Sequence, residues 1–134
     1  MRQAQKYLID HSISPSVQRL AIMDYLLTHP THPTANEIYK ELLPAIPTLS
    51  KTTVHNTLNL FVKHKVALYI DIDERNARFD GNMEFHIHFR CKKCGYIIDI
   101  PVPETKNLIP REPDLHIEEV SVNIKGFCKT CSRS

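Results

Sequence analysis

His86-Ile87-His88-Phe89-Arg90-Cys91-Lys92-Lys93-Cys94-Gly95 is the stretch that decides how the second half of this chain folds. Residues two apart on a strand share a face, so His86 and His88 can offer both imidazoles to one ion. The run then ends in a Cys-x-x-Cys turn. A second such pair, Cys128 and Cys131, follows Gly126. Two knuckles brought together make a closed four-sulfur tetrahedron, the arrangement Zn²⁺ prefers, and one that leaves no open coordination position. The competing reading is two disulfides. The opening Met1-Arg2-Gln3-Ala4-Gln5-Lys6 leads into a polar amphipathic stretch without the apolar core of a signal peptide, which implies a cytoplasmic chain with reduced thiols. Structural zinc at Cys91, Cys94, Cys128 and Cys131 is the expectation.

Working outward, strands are expected over His86 to Cys91, Tyr96 to Val102 and about Ile117 to Ile124. A short helix is expected around Glu104 to Leu108, bracketed by Pro101, Pro103, Pro110 and Pro113. This α+β unit is small enough to need zinc or a partner subunit to complete it.

The first half reads differently. Leu20, Ile22, Met23, Leu26 and Leu27 recur at helical spacing until Thr28-His29-Pro30. Thr34 with Glu37 three residues on forms a capping box for a helix that stops at Pro44. Ser50 caps a third helix, which buries Val54, Leu58 and Phe61 and turns Lys51, Thr52, His55, Asn56 and Asn59 outward. From Leu42 to Ile70 there is no Asp or Glu, while Lys51, His55, Lys63, His64 and Lys65 all fall in that window. Such a face suits phosphates and base edges, although most polar helix faces are simply solvated. Val66 to Ile72 and Ala77 to Phe79 read as strands around Asp73-Glu74-Arg75-Asn76, which adds a wing to a helix-turn-helix. The fold class is therefore α+β. A winged helix-turn-helix DNA-binding domain is expected over 1–81, and a small α/β dimerisation and metal-binding domain over 82–134.

Composition excludes some functions. The chain has 134 residues, 42% of them hydrophobic, enough for one ordinary domain or two small ones, and no run is apolar and long enough to cross a membrane. With 17 basic and 15 acidic residues, overall charge selects no partner. A His/Asp metal hydrolase would need an open substrate cleft and a general base outside the ligand set, and with 3 glycines there is no Gly-rich substrate loop. A regulator rather than an enzyme is the expectation. Besides the histidine pair, Asp99 lies on the next strand, Asp80 lies just before the joint between the halves, and His32 lies between the first two helices. Imidazoles and carboxylates together suit Fe²⁺, Mn²⁺ or Zn²⁺ and are harder than the thiolate set. Spacing alone does not select His32.

Gln18-Arg19, His32-Pro33-Thr34-Ala35, Glu37-Ile38-Tyr39, Ser50-x-x-Thr53-Val54, Arg78-Phe79-Asp80, His86-x-His88, Cys91-x-x-Cys94-Gly95, Asp99 and Gly126-x-Cys128-x-x-Cys131 stand in the order of the landmarks of ferric-uptake-regulator repressors. The chain resembles that family over nearly its whole length. The resemblance implies a homodimeric, metal-dependent repressor of double-stranded DNA operators, with Arg19, Ser50, Lys51, Thr52, Thr53, His55, Asn56 and Asn59 as DNA-contacting positions.

Within the family the chain is most similar to the peroxide-sensing branch. There the resemblance implies a regulatory Fe²⁺ or Mn²⁺ held by His32, Asp80, His86, His88 and Asp99, with oxidation of His32 or His86 releasing DNA. The iron-responsive branch typically has Glu where this chain has Asp99, and often His where it has Val120. A reversible Fe, Mn or Zn uptake regulator of the same fold is the alternative. The chain departs from the family pattern at His55, where relatives usually place tyrosine, and at Lys65, where glycine is usual. The Pro101 to Pro113 segment is also short for the family's dimerisation helix.

Overall fold

The structure, a computed structural model, describes residues 2–71, 76–83, 86–101, 114–117 and 120–132, the side chains of His86 and Pro101 excepted. The helix expected around Glu104 to Leu108 and the wing turn Asp73-Glu74-Arg75 lie outside them. The chain divides into two units, Met1–Met83 and Glu84–Ser134, two residues beyond the boundary read from the sequence. Among the described residues no helix is long and apolar enough to cross a membrane.

Unit 1 contains α1 (Arg2–Asp10), α2 (Val17–Thr28), α3 (Ala35–Leu42) and α4 (Lys51–Lys63), then the antiparallel strands β1 (Leu68–Ile70) and β2 (Arg78–Asp80). Each start of α2, α3 and α4 is fixed by a side-chain oxygen on a backbone N–H that the helix cannot satisfy itself. Ser16 accepts from Arg19, Thr34 from Glu37 and Ser50 from Thr53. At Thr34 the capping box is complete, since Glu37 Oε2 accepts from Thr34 N.

α1 was not foreseen as a helix of its own. Its inward residues Ala4 and Leu8 are fully buried while most of the remainder is polar. α1 and α4 end alike. Ser12 (φ 63°) and Lys65 (φ 61°) take the left-handed conformation. The next residues, Ile13 and Val66, donate back to Leu8 O and Phe61 O, both at 2.9 Å, and bury their side chains. This is the Schellman ending, normally supplied by glycine, which explains why Lys65 stood out in the sequence. The core gathers Leu8, Ile22, Met23, Ile38, Leu58 and Phe61, all at 0% exposure. Phe79 of β2 joins it, with the exposed Tyr69 ring edge-on to Phe79 at 5.9 Å.

Unit 2 is a three-stranded sheet in the order β4-β3-β5, with β3 His86–Cys91, β4 Ile97–Pro101 and β5 Val122–Gly126. β3 pairs antiparallel with β4, with His88 opposite Asp99, and parallel with β5, with Phe89 opposite Ile124. The third strand was expected from about Ile117 to Ile124; it begins at Val122 and runs two residues further, to Gly126. The short helix α5, Lys129–Ser132, carries Cys131.

Candidate metal centres and DNA-facing surface

Cys91 closes β3, and the chain turns at once. Gly95 N donates to Cys91 O at 3.0 Å, and Cys91 N donates to Tyr96 O at 2.8 Å. The turn requires a left-handed residue at Gly95 (φ 77°), which glycine adopts without a Cβ penalty. Across the sheet Lys92 N donates to Gly126 O at 2.7 Å, bringing the end of β5 and the second knuckle alongside the first.

All four cysteines are free thiols, and their sulfurs lie within 4.8 Å of one another. Cys94 Sγ and Cys128 Sγ are 3.9 Å apart. A disulfide would require about 2.05 Å. A tetrahedron with Zn–S bonds of about 2.3 Å has edges of about 3.8 Å, close to the Cys94–Cys128 separation, so the cluster is of the size that holds one Zn²⁺. Its electrostatics agree. Backbone N–H groups of Cys94 and then Cys128 stabilise the Cys91 thiolate and lower its pKa to about 5. The Cys131 thiol donates to Cys128 and is partly desolvated, which pushes it up to about 12. Four crowded sulfurs cannot all ionise together without a cation at their centre.

The imidazole and carboxylate candidates form one close pair in each unit. In unit 1, His32 has a left-handed backbone (φ 58°), is 2% exposed, and places Nε2 3.5 Å from Asp80 Oδ2. A non-glycine residue in this conformation is held there by its surroundings. Arg78 Nη1 donates to His32 O at 3.0 Å, Phe79 N donates to Pro33 O at 2.9 Å, and Thr34 bridges Arg78. β2 therefore grips the His32-Pro33-Thr34 segment along its edge and carries Asp80 to the imidazole. Asp80 is itself oriented, its Oδ1 accepting from Asn82 N at 2.9 Å. Between them Gly81 passes so close to the end of α2 that a Cβ would stand 3.1 Å from Leu26 O.

In unit 2, His88 is 4% exposed and places Nε2 3.7 Å from Asp99 Oδ1 on the neighbouring strand. His86 is the first residue of β3. Arg78 carries no sequence signal for this role, because its clamp on His32 joins residues 46 apart in the chain.

The DNA-contact candidates all lie in unit 1. Ser50, Lys51, Thr52, His55, Asn56 and Asn59 are exposed, whereas Thr53 and Arg19 are half-buried. Lys51 Nζ sits 5.6 Å from the centre of the Tyr39 ring, a cation–π contact that steadies the first residue of α4 against α3.

The ferric uptake regulator family model matches residues 11–125. A peroxide-responsive repressor, PerR, of Staphylococcus epidermidis is 34% identical over 138 residues, covering 92% of this chain and 92% of its own length. Among solved structures, the Helicobacter pylori ferric uptake regulator Fur covers 99% of this chain and 91% of its own, with a TM-score of 0.77 at 21% identity. PerR of Streptococcus pyogenes covers 96% and 90%, with a TM-score of 0.55 at 24% identity. With a fold of the same kind, four thiols shaped for one ion and imidazole–carboxylate pairs in both units, the chain belongs to the ferric uptake regulator family of metal-dependent regulators.

Proposed function

We propose that this protein is a DNA-binding transcriptional repressor that acts as a homodimer and senses peroxide through a metal ion. In this reading Cys91, Cys94, Cys128 and Cys131 hold structural Zn²⁺, and His32, Asp80, His86, His88 and Asp99 hold a regulatory Fe²⁺ or Mn²⁺. The observation that carries it is His32, a buried imidazole on a left-handed backbone, clamped by Arg78 and turned toward Asp80. A side chain maintained at that conformational cost is shaped for a ligand rather than for packing. The peroxide-responsive repressor among the relatives supports the choice of branch.

Bound Fe²⁺ would supply the one-electron chemistry that splits peroxide; in the net step the imidazole gives up two electrons and takes one oxygen, and the other oxygen of peroxide leaves as water. The chain's own part is positional. His32 belongs to residues 1–83 and His88 and Asp99 to residues 84–134, so holding one ion with both sets ties the arrangement of the two units to occupancy. DNA affinity follows that arrangement, because a dimer must present both α4 helices at the spacing of paired half-sites. Oxidation of His32 or His86 removes an imidazole nitrogen from the set and frees the units. Each molecule reacts once.

The test is to load the zinc-containing protein without oxygen with either Fe²⁺ or Mn²⁺, add substoichiometric peroxide, and follow DNA release together with peptide mass spectrometry. One added oxygen on His32 or His86, with DNA lost from the iron form alone, is expected. Unmodified histidines, with DNA binding governed only by chelation and re-addition of metal, would make the protein a reversible metal sensor instead.

A further inference from the structure

The polar residues of α4 do not form one surface. On a helix of 3.6 residues per turn, Thr52, His55 and Asn59 follow one stripe, while Thr53, Asn56 and Thr57 follow another, rotated by roughly a quarter turn. The second stripe faces α2. Between them lies a cleft of about 230 Å³ lined by Gln18 and Arg19 from the first turn of α2 and by Thr53, Asn56 and Thr57 from α4. Among the described residues no carboxylate lines it.

Its donors are arranged toward the opening. Ser50 Oγ donates to Thr53 Oγ1 at 2.8 Å, so the Thr53 hydroxyl, already accepting, has its own proton to give. Arg19 spends one N–H of its fork on Ser14 O at 2.9 Å, which fixes the guanidinium and leaves its remaining donors for the cleft. Thr57 is 6% exposed, and among the described residues its hydroxyl takes no hydrogen bond. The Thr57 hydroxyl at the edge of a cleft that no described carboxylate lines, next to a fixed guanidinium and the positive end of α2, matches the chemistry of an anion.

We infer that this cleft seats a phosphate of the DNA backbone, so that Arg19, Thr53 and Asn56 anchor α4 on the duplex while Thr52, His55 and Asn59 read base edges. The assignment rests on the DNA-binding reading above and divides its contact residues into two kinds. Asn56, which faces outward in the sequence pattern as a base reader would, becomes a backbone contact. His55 and Asn59 carry the sequence preference, His55 through a ring N–H and a ring acceptor, Asn59 through an amide suited to adenine.

The two kinds of contact respond differently to salt and to sequence. A phosphate contact contributes equally on every duplex and adds to the counterions released, whereas a base contact contributes on the matched sequence alone. The experiment uses the full-length, metal-loaded protein, a duplex selected by the wild type from a random library, and a scrambled duplex of the same composition. Affinities are measured across a salt series for Arg19→Gln, Asn56→Ala, His55→Ala and Asn59→Ala, with melting curves to confirm folding.

Arg19→Gln and Asn56→Ala should weaken binding to both duplexes in the same proportion, and Arg19→Gln should reduce the slope of log affinity against log salt by about one. His55→Ala or Asn59→Ala should lose about 5- to 150-fold on the selected duplex, with the scrambled duplex and the salt slope unchanged. Asn56→Ala collapsing the ratio between the duplexes while sparing the scrambled one would overturn the partition. So would an Arg19→Gln protein, folded by its melting curve, with an unaltered salt slope. A wild-type protein that selects no duplex would overturn the DNA-binding reading itself.

Discussion

The two units are held together by different physics. Among the described residues, every buried apolar side chain except Cys91 lies in residues 1–83, where four helices and a two-stranded wing close around Ile22, Ile38, Leu58 and Phe61. In residues 84–134, Ile100 and Ile124 of the sheet and Phe127 just beyond it are 38%, 43% and 56% exposed, and among the described residues the one fully buried apolar position is a zinc-ligand candidate. Unit 1 can stand on its core. Unit 2 has, among the described residues, a paired sheet and a cluster of four sulfurs in place of such a core, so a cation at the sulfurs contributes folding free energy directly.

The sharpest way to break this contrast is to remove the sulfur site. Cys91→Ser, or strong chelation, should cost on the order of 10 kcal/mol of metal-linked stability. Hydrogen exchange should then speed up across β3, β4 and β5 while α2 and α4 remain protected. Equal loss in both units would contradict the division. Acid should act on the same unit with a definite sign. The Cys91 pKa is depressed from 9.0 to about 5, so its support is complete above the ordinary thiol value and disappears as pH falls through about 5. Zinc release, read with a chromophoric indicator, should therefore grow as pH drops through that range, before the helices of unit 1 melt.

The reciprocal experiment is Phe61→Ala, which empties the centre of unit 1 and should cost about 3–5 kcal/mol, measured by denaturant unfolding. The zinc content of the folded fraction should stay unchanged.

A smaller effect sharpens the link between the helix caps and the His32 site. Thr34→Ala removes the cap and one half of the capping box and should cost about 1 kcal/mol. Thr34 directly follows the His32-Pro33 segment, so fraying of the first turn of α3 should reach the clamped backbone at His32, seen as slightly weaker regulatory-metal binding with unaltered zinc.

The smallest effect has the opposite sign. Lys65→Gly relieves a left-handed strain of roughly 1–2 kcal/mol, less the greater unfolded-state entropy of glycine, for a net gain of about 0.5–1 kcal/mol in the melting of unit 1.

How much of this was legible in the sequence follows from how local each signal is. Caps are local, and Thr34 with Glu37 and Ser50 with Thr53 marked the starts of α3 and α4. The Cys-x-x-Cys turns are local too, and two of them sufficed to suggest a single four-sulfur site. α1 was obscured because its buried face is no wider than Ala4, Tyr7 and Leu8, too little for a periodic pattern to stand out. The start of β5 was misjudged because apolar residues recur from Ile117 onward, while pairing to β3 begins only at Val122. His32 was beyond reach of any spacing rule. Its conformation is imposed by β2, which arrives 46 residues later with Arg78, and only likeness to a family brought it into view.

In the proposed mechanism the imidazole and carboxylate set, rather than the sulfur cluster, sets DNA affinity. This is tested most directly by measuring DNA binding and zinc content on the same samples of wild-type protein and His88→Ala, before and after removal and re-addition of Mn²⁺. DNA binding by the wild type that disappears and returns with Mn²⁺, absence of that response in His88→Ala, and one zinc per chain throughout is the predicted result. DNA affinity that is indifferent to Mn²⁺ and follows zinc alone would contradict it.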